Sequence, residues 1–282
     1  MGAMDETREL EAKSKELRKI IFKAIYHAGG GHLASSLSIA DLLVVLYFKF
    51  LKVDPERPGW DSRDRFILSK GHACAALYAI LAQKGFFKRE LLLSMCRKGS
   101  VLGGHPDMLK IPGVDASTGS LGHGFPYGVG IAFSGKLNER DYKVYSILGD
   151  GECQEGSIWE AAIFAAQHGL DNMIAIVDYN KLQAMDFIEN IGSLDPLSEK
   201  WSAFGWKTTE IDGHNMEEIE TALNKIPFKK GSPSLIIAHT TKGKGISFAE
   251  NAPIWHYRMP DERELKVALK DLGMTEEELI RI

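Results

Sequence analysis

An aspartate stands between two glycines where a hydrophobic run ends, in the sequence Gly149-Asp150-Gly151. The preceding run, residues 142–148 (YKVYSIL), predicts a buried strand, and the following residues predict a helix that begins at Ser157. Free amides at the start of a helix favour an anion, which a bare carboxylate would repel. A hard cation such as Mg²⁺ would allow the carboxylate and a phosphate anion to lie at the same place, because it takes oxygen ligands from both. The stretch therefore predicts a site for a metal ion and a diphosphate.

A second oxygen ligand is predicted at Asn180, which ends the next strand in the chain, residues 172–178. The backbone carbonyl of Leu182 is a candidate for a third. Asp-Gly pairs are common in ordinary turns, so either side chain alone would also fit a purely structural role. Their placement at the ends of two neighbouring strands favours the metal site.

These residues must be positioned by a regular frame, and the sequence predicts strands that alternate with helices. Most strands are continuous apolar runs, which is typical of a parallel sheet covered on both faces. Strands are predicted at 64–69, 142–148, 172–178, 207–211 and 234–239, and helices at 5–28, 38–51, 72–84, 121–136, 157–168 and 216–225. We expect Ser38 to cap the second helix. The Gly- and Pro-rich residues 98–119 predict a long irregular loop.

Every predicted strand ends in residues that can do chemistry. Ligands bind outside the carboxyl ends of such strands, which share one edge of the sheet. The strand-end groups are residues 69–72 (SKGH), 149–151 (GDG), 178–180 (DYN), 212–214 (DGH) and 239–243 (HTTKG).

Composition narrows the class of protein. The chain has 282 residues, of which 44% are hydrophobic, and a net charge of −4. We expect a single globular domain over 1–282 with a helical tail at about 260–282, and no nucleic-acid partner. Three widely spaced cysteines without a Cys-x-x-Cys motif, Cys74, Cys96 and Cys153, indicate a reducing compartment and no zinc site. With no apolar signal region or spanning run, we expect a cytoplasmic protein that does not contact membranes.

Several segments together resemble transketolase, in the order in which transketolase has them. They are DRFILSKGHACAALYA, GGHPD, STGSLGHG, GDGECQEGSIWEAA, KGKGI and WH, and the resemblance runs from about Leu10 to Pro260. It implies a three-layer α/β/α thiamine diphosphate-binding fold of the diphosphate-binding (PP) type with a mainly parallel sheet. A complete transketolase continues with pyrimidine-binding and C-terminal domains. The resemblance therefore implies the N-terminal subunit of a split transketolase.

The resemblance also implies roles for individual residues. Asp150, Asn180 and the Leu182 carbonyl would bind Mg²⁺, with Ca²⁺ or Mn²⁺ as alternatives, and Glu155 would lie at a subunit interface. The implied thiamine diphosphate-binding residues are Ser35, His72, Gly119, Ser120, Leu121, Gly151, Glu152, Asn180, Lys242 and His256, with Gly151 and Glu152 acting through backbone amides. The implied catalytic residues are His32, His72, His105 and His256. Histidine suits proton transfer on sugar hydroxyl groups, because its unperturbed pKa lies near the working pH.

The activity implied is transfer of a two-carbon ketol unit from a ketose phosphate to an aldose phosphate, as in pentose phosphate metabolism. Thiamine diphosphate would supply the electron sink. The missing domains imply a C-terminal partner chain, an α2β2 assembly, and no turnover by this chain alone.

Leu33 and Ala34 replace the family's usual Pro-Gly after the first histidine, which bears on the choice of acceptor sugar.

Four other interpretations remain open at this point. One is the E1-type α-like subunit of a 2-oxoacid dehydrogenase, which the set of four histidines disfavours. A second is a deoxyxylulose phosphate synthase, which is disfavoured because residues 69–79 (SKGHACAALYA) resemble the transketolase form. Another is a non-catalytic cofactor-domain module, which the presence of Asp150, Asn180 and Lys242 disfavours. A dinucleotide-binding protein is disfavoured because the glycines of residues 122–130 miss the G-x-G-x-x-G spacing.

Overall fold

One five-stranded sheet organises the chain, of which the computed structural model describes residues 3–281. Its strand order is β1-β2-β3-β5-β4, and every neighbouring pair is parallel. The strands are β1 (Arg65–Leu68), β2 (Val144–Gly149), β3 (Met173–Tyr179), β4 (Lys207–Asp212) and β5 (Ser234–His239). The predicted parallel α/β architecture is confirmed.

Helices cover both faces of this sheet. They are α1 (Ala3–Ala28), α2 (Leu33–Leu37), α3 (Ala40–Val45), α4 (Cys74–Lys84), α5 (Gly124–Leu137), α6 (Gly156–Gln167), α7 (Ile188–Gly192), α8 (Leu197–Ala203), α9 (Met216–Asn224), α10 (Glu262–Leu272) and α11 (Glu276–Ile280). Within residues 3–281, none of the helices combines the length and the apolar character that a bilayer-spanning segment needs.

The two faces of the sheet contribute to two separate hydrophobic cores. In β3, Ile174 and Ile176 pack into the core that is shared with α1, α3, α4 and α9. Ala175 and Val177 point the other way, into the core that is shared with α5, α6 and α8. Since side chains alternate along a strand, a continuous apolar run fills both layers at once. The result is the three-layer arrangement expected from the sequence.

The carboxyl ends of the strands meet at one edge in a defined register. Gly149 of β2 lies opposite Asp178 of β3, and Tyr179 lies opposite His239 of β5. Asp150 and Asn180 therefore follow directly neighbouring strands, as predicted. A short 3₁₀ turn, Gly151–Gln154, separates Asp150 from α6.

The loop that follows β5 is held by a buried polar network on α1 and α3. Arg18 donates to Asp41 and also to the carbonyl of Lys244 at 3.1 Å. His214 accepts the N–H of Thr241 through Nε2 at 2.8 Å, so its Nδ1–H donates to Asp41 at 2.7 Å. Burial raises the pKa of Asp41, but hydrogen bonds from His214, Arg18 and Ser14 outweigh it and hold that pKa well below its usual value. The network thus holds the backbone on both sides of Lys242, at Thr241 and at Lys244.

The predicted helix at 38–51 with a Ser38 cap is wrong. Helix begins earlier, at Leu33, and is interrupted between Leu37 and Ala40 before it ends in a π-helical turn, Leu46–Phe50. Ser38 makes no cap. Its hydroxyl instead donates to the carboxylate of Asp178 at 2.8 Å, a residue 140 positions away in the chain. The local sequence favours a helix cap at Ser38, but its side chain forms the hydrogen bond to the distant Asp178 instead.

Gly243 provides a test of how this loop is held. Its φ is +85°, and a β-carbon there would lie 2.2 Å from the carbonyl oxygen of Ala249. Its N–H donates to the Ala34 carbonyl at 3.0 Å, which ties the loop to α2. We expect Gly243→Ala to lower the free energy of unfolding by roughly 3 kcal/mol or more, because backbone strain and steric overlap add.

Gly273→Ala is the matched control. Gly273 also has a positive φ, +62°, but nothing lies within 4 Å of a β-carbon built there. Only the left-handed conformation should cost energy, about 1–2 kcal/mol. Urea unfolding of both variants measures the difference, and equal losses would contradict the packing described for Gly243.

Candidate functional site

A cleft of about 460 Å³ opens at the carboxyl edge of the sheet. Its walls come from the strand-end loops, from α2, and from the irregular segment before α5. The lining residues are His32, Ser35, Lys70, His72, His105, Gly119, Leu121, Gly149, Asp150, Gly151, Glu152, Gln154, Glu155, Asn180, Leu182, Gln183, Ala184, Lys242 and His256.

A larger cavity, of about 620 Å³, lies elsewhere, between the edge strand β4 and α9. It is lined by Thr208, Glu210, Glu217, Lys225 and their neighbours, and it contains none of the predicted strand-end groups. We favour the smaller cleft as the functional site, because convergent polar groups at the ends of parallel strands mark ligand sites better than volume does.

One end of the cleft gathers the oxygen atoms predicted to hold a metal. Asp150 accepts the N–H of Gly151 at 2.7 Å and the N–H of Lys181. Asn180 accepts the N–H of Leu182 through Oδ1 at 3.1 Å. Burial, followed by the nearby carboxylate of Asp178, raises the pKa of Asp150 to about 6. A cation beside this carboxylate would offset that cost.

Lys242 lies at the same end and contacts the third predicted ligand. Its ammonium donates to the Leu182 carbonyl at 2.7 Å and to the Gln183 carbonyl at 3.3 Å. Burial, with the charge of Lys70, lowers the pKa of Lys242 to about 8. The amine is therefore mostly protonated at neutral pH and can face an anionic group.

The residues present fit a metal and a diphosphate. Residues 3–281 contain no cluster of three or more His, Cys, Asp or Glu side chains arranged to hold a metal. The donor set is instead one carboxylate, one amide oxygen and one carbonyl, which suits a hard cation that shares oxygen ligands with phosphate. Ser35 Oγ is buried in the cleft wall and lacks a hydrogen-bond partner among the described residues. This hydroxyl group could therefore donate to or accept from a group bound in the cleft.

Three of the four predicted catalytic histidines form a cluster. The ring centroid of His32 lies 5.0 Å from that of His72 and 5.1 Å from that of His256, and those of His72 and His256 are 5.5 Å apart. His105 lies in the same cleft, with its imidazole against Gly119, where a β-carbon would come within 3.2 Å. Nδ1 of His256 is buried without a partner in the described chain.

The protonation state of the cluster differs from the expectation. Burial, with contributions from His105 and Lys242, lowers the pKa of His32 to about 4. Burial, followed by the charge of Lys242, lowers the pKa of His256 to about 3, and burial takes the pKa of His72 well below its usual value. These imidazoles are neutral at neutral pH, so each offers one donor and one acceptor.

A buried ion pair beneath the cleft joins four segments of the chain. Lys70, which follows β1, donates to Asp178 at the end of β3 and to the Ser35 carbonyl at 3.0 Å. Thr240 and Ser38 also donate to Asp178. Burial alone would raise the pKa of Asp178, but the ammonium of Lys70 and these hydrogen bonds lower it.

The same carboxylate orients a predicted metal ligand. Asn180 Nδ2 donates to Asp178 Oδ2 at 2.9 Å, so the amide nitrogen faces the ion pair. The amide oxygen must then point away from Asp178, towards the Leu182 N–H. This arrangement leaves an oxygen rather than a nitrogen available as a metal ligand.

Glu152 has a side-chain position that the sequence did not indicate. Its carboxylate is buried and accepts hydrogen bonds from Ser69 at 2.5 Å, Gly122 N–H at 3.0 Å and Gly149 N–H at 3.1 Å. It therefore fixes the turn after β2 and the loop before α5 relative to each other. Its backbone role towards a diphosphate stays a prediction.

Most of the predicted site residues line the one cleft, and their roles stay predictions. Ser120 is the exception, since it is not part of the lining. Glu155 is exposed at the cleft. The sequence placed Lys70 and Asp178 at strand ends but gave neither a role. The sequence signal that could have identified Asp178 is an acidic residue at the end of the otherwise apolar run 173–178.

The comparisons with known proteins agree with this geometry. Residues 11–282 match the family model described as transketolase, thiamine diphosphate binding domain. The chain is 45% identical over 264 residues to the 6-deoxy-6-sulfo-D-fructose transketolase subunit SqwG of Clostridium sp. (strain MSTE9), covering 94% of this chain and 96% of that protein. It is 40% identical to one of the subunits of the apulose-4-phosphate transketolase of Phocaeicola vulgatus, covering 97% of each.

A solved structure with the same fold is longer. The transketolase from Campylobacter jejuni superposes with a TM-score of 0.88 at 32% identity, covering 96% of this chain and 45% of that chain. The chain thus spans nearly all of its subunit-type relatives and less than half of this enzyme.

The ion pair under the cleft can be tested by removing its cation. Lys70→Met leaves a buried carboxylate without its charge partner, which should lower the free energy of unfolding by about 3–5 kcal/mol. Adding Asp178→Asn should recover part of that loss, because the amide removes the uncompensated charge and still accepts hydrogen bonds.

Lys49→Met is the matched control for this change. Lys49 pairs with Glu220 at 2.6 Å, but its side chain is 32% exposed. Its loss should cost about 1 kcal/mol or less. Urea unfolding gives all three values, and a Lys70→Met loss no larger than the Lys49→Met loss would argue against the role assigned to the pair.

Proposed function

This chain belongs to the transketolase family, and we propose that it forms the metal- and diphosphate-binding half of an active site that a second chain completes. The predicted identity, a transferase of the transketolase-subunit type, is confirmed by its relatives. The observation that carries the proposal is a single cleft with Asp150, Asn180 and Leu182 at one end and three clustered histidines beside them.

In this proposal, the oxygens of Asp150, Asn180 and Leu182 hold Mg²⁺, with Ca²⁺ or Mn²⁺ as alternatives. The amides of Gly151 and Glu152 and the ammonium of Lys242 bind the diphosphate. Ser35, Gly119, Ser120 and Leu121 lie along the rest of thiamine diphosphate, which supplies an electron sink for the two-carbon unit. The unpaired hydroxyl of Ser35 supports this assignment.

The histidines would handle the sugar. His32, His72 and His256 are held neutral, so each can donate one hydrogen bond and accept one. Hydroxyl groups need both kinds of partner. We infer that these three, with His105, orient the hydroxyl groups of the ketose and pass protons among them.

The substrate is inferred to be a ketose donor and an aldose acceptor, each with an anionic group at the far end. The two subunit-type relatives are named for a sulfonated sugar and a sugar phosphate. A ketose phosphate and an aldose phosphate of pentose phosphate metabolism fit this class. The free thiols of Cys74, Cys96 and Cys153 support a cytoplasmic enzyme.

The partner would carry the pyrimidine-binding and C-terminal domains, in an α2β2 assembly. Exposed apolar side chains on α5 and α6 support a covering protein surface, among them Leu137, Ile163 and Phe164. Glu155 is exposed near the cleft and is proposed to lie at a subunit interface. Residues 1–282 would then act as one domain of the assembly.

Asp150→Ala tests the metal and diphosphate site. Losing the only carboxylate of the proposed ligand set should weaken thiamine diphosphate binding in the presence of Mg²⁺ by more than about 100-fold, since loss of an outer-shell partner alone costs about 10–100-fold. Calorimetry on the two-chain complex measures this. Asp141→Ala, in the exposed loop that precedes β2, should bind as the wild type does. Unchanged binding by Asp150→Ala would refute the assignment.

The need for a partner is tested by mixing. A ketol-transfer assay with xylulose 5-phosphate, ribose 5-phosphate, thiamine diphosphate and Mg²⁺ should give turnover only when this chain is combined with a chain that carries pyrimidine-binding and C-terminal domains. The isolated chain should self-associate in sedimentation experiments, because its apolar surface is uncovered. Full turnover by the isolated chain would disprove the two-chain site.

A further inference from the structure

Tyr257 is an exposed aromatic residue beside the histidine cluster. It follows His256 directly, and its ring centroid lies 4.9 Å from that of His32, at an interplanar angle of 70°. The residue is 63% exposed, although its neighbour His32 lines the cleft. Tyr257 therefore extends the wall of the cleft outward from the histidines.

The segment that carries Tyr257 is anchored on both sides. Trp255 is buried and packs on Phe248, with ring centroids 4.5 Å apart. Arg258 donates to both carboxylate oxygens of Glu264, at 2.9 and 2.8 Å, and its guanidinium lies over the Trp255 ring. A large aromatic side chain is thus held at the surface by a fixed backbone.

Gly30 makes room for the phenol group. A β-carbon at Gly30 would lie 3.4 Å from the Tyr257 hydroxyl oxygen, so a longer side chain there would displace the ring. The ring is consequently confined between His32 and the glycine turn that precedes α2. Because the residue is 63% exposed, much of its side chain remains accessible to a ligand.

Given the proposed function, on which this inference rests, we propose that Tyr257 is a specificity-determining residue for the sugar substrate. With the reacting carbons at the histidine cluster, an open-chain sugar extends beyond it along the cleft wall. A tyrosine combines an apolar face, which packs on C–H groups, with a hydroxyl group, which pairs with sugar hydroxyls. Tyr257 selects acceptors that have carbons beyond the reacting aldehyde.

The test compares acceptors of different length in the two-chain holoenzyme. Hydroxypyruvate serves as donor, because it gives up a two-carbon ketol unit and releases carbon dioxide. The acceptors are glycolaldehyde, with two carbons, and glyceraldehyde 3-phosphate, erythrose 4-phosphate and ribose 5-phosphate, with three to five. For Tyr257→Ala we expect the ratio of kcat/KM for the best aldose phosphate to that for glycolaldehyde to fall about tenfold, the size of one aromatic packing contact.

Two further variants separate the causes. Tyr257→Phe keeps the ring, so the ratio of the two kcat/KM values should stay close to that of the wild type. Any decrease in this ratio measures the contribution of the hydroxyl group. Tyr127→Ala removes another exposed tyrosine, on α5, and should keep the wild-type ratio. Sedimentation of each variant complex reports whether the two chains still assemble.

Two results would overturn the inference while leaving the proposed function in place. One is a wild-type ratio in Tyr257→Ala. The other is an equal fall in kcat/KM for every acceptor together with weaker assembly of the two chains, which would make Tyr257 a partner contact. Absence of ketol transfer by the wild-type complex with all four acceptors would instead refute the proposed function, and the inference with it.

Discussion

The buried ion pair between Lys70 and Asp178 is the interaction on which the site depends. Lys70 follows β1 and Asp178 lies near the end of β3. Hydrogen bonds connect the pair to α2 through the Ser35 carbonyl and to the loop after β5 through Thr240. Burying two charges is costly unless hydrogen bonds satisfy both, and here they do. Four segments far apart in sequence are thereby fixed around one carboxylate, and the cleft lies directly above it. The orientation of Asn180 follows from the same carboxylate.

Two aspartates at neighbouring strand ends, Asp150 and Asp178, have pKa values that their surroundings shift in opposite directions. Asp178 has an ammonium and several donors, which lower its pKa. Asp150 accepts only backbone N–H groups among its described hydrogen bonds, and burial raises its pKa to about 6. The protein itself satisfies the carboxylate of Asp178, whereas the carboxylate of Asp150 keeps the raised pKa that a bound cation would offset under the proposed function. The positive charge of Lys242 that serves this end of the cleft also helps to keep His256 neutral.

Under the proposed function, one segment of the chain carries both a diphosphate-binding residue, Lys242, and a sugar-binding residue, His256. Lys242 and His256 are carried by one segment after β5, which the Arg18–Asp41–His214 network and the close packing of Gly243 hold in place. Beyond the histidines, Tyr257 and Glu155 are exposed. Buried, hydrogen-bonded residues beneath an exposed cleft opening suit the proposed site shared with a second chain, because preorganised groups lose less conformational freedom on binding.

The sequence alone determined the alternation of strands with helices, the parallel sheet and the edge at which the predicted site residues meet. Those features are local, since apolar runs and glycine breaks report burial and chain direction directly. Only the tertiary structure decided that Lys70 pairs with Asp178 across 108 positions, that Ser38 serves that pair rather than a helix end, and that the histidines are neutral. Such outcomes depend on which groups share a buried volume, and periodicity along the chain carries no information about that. The pKa of a histidine is likewise set by its surroundings and not by its type.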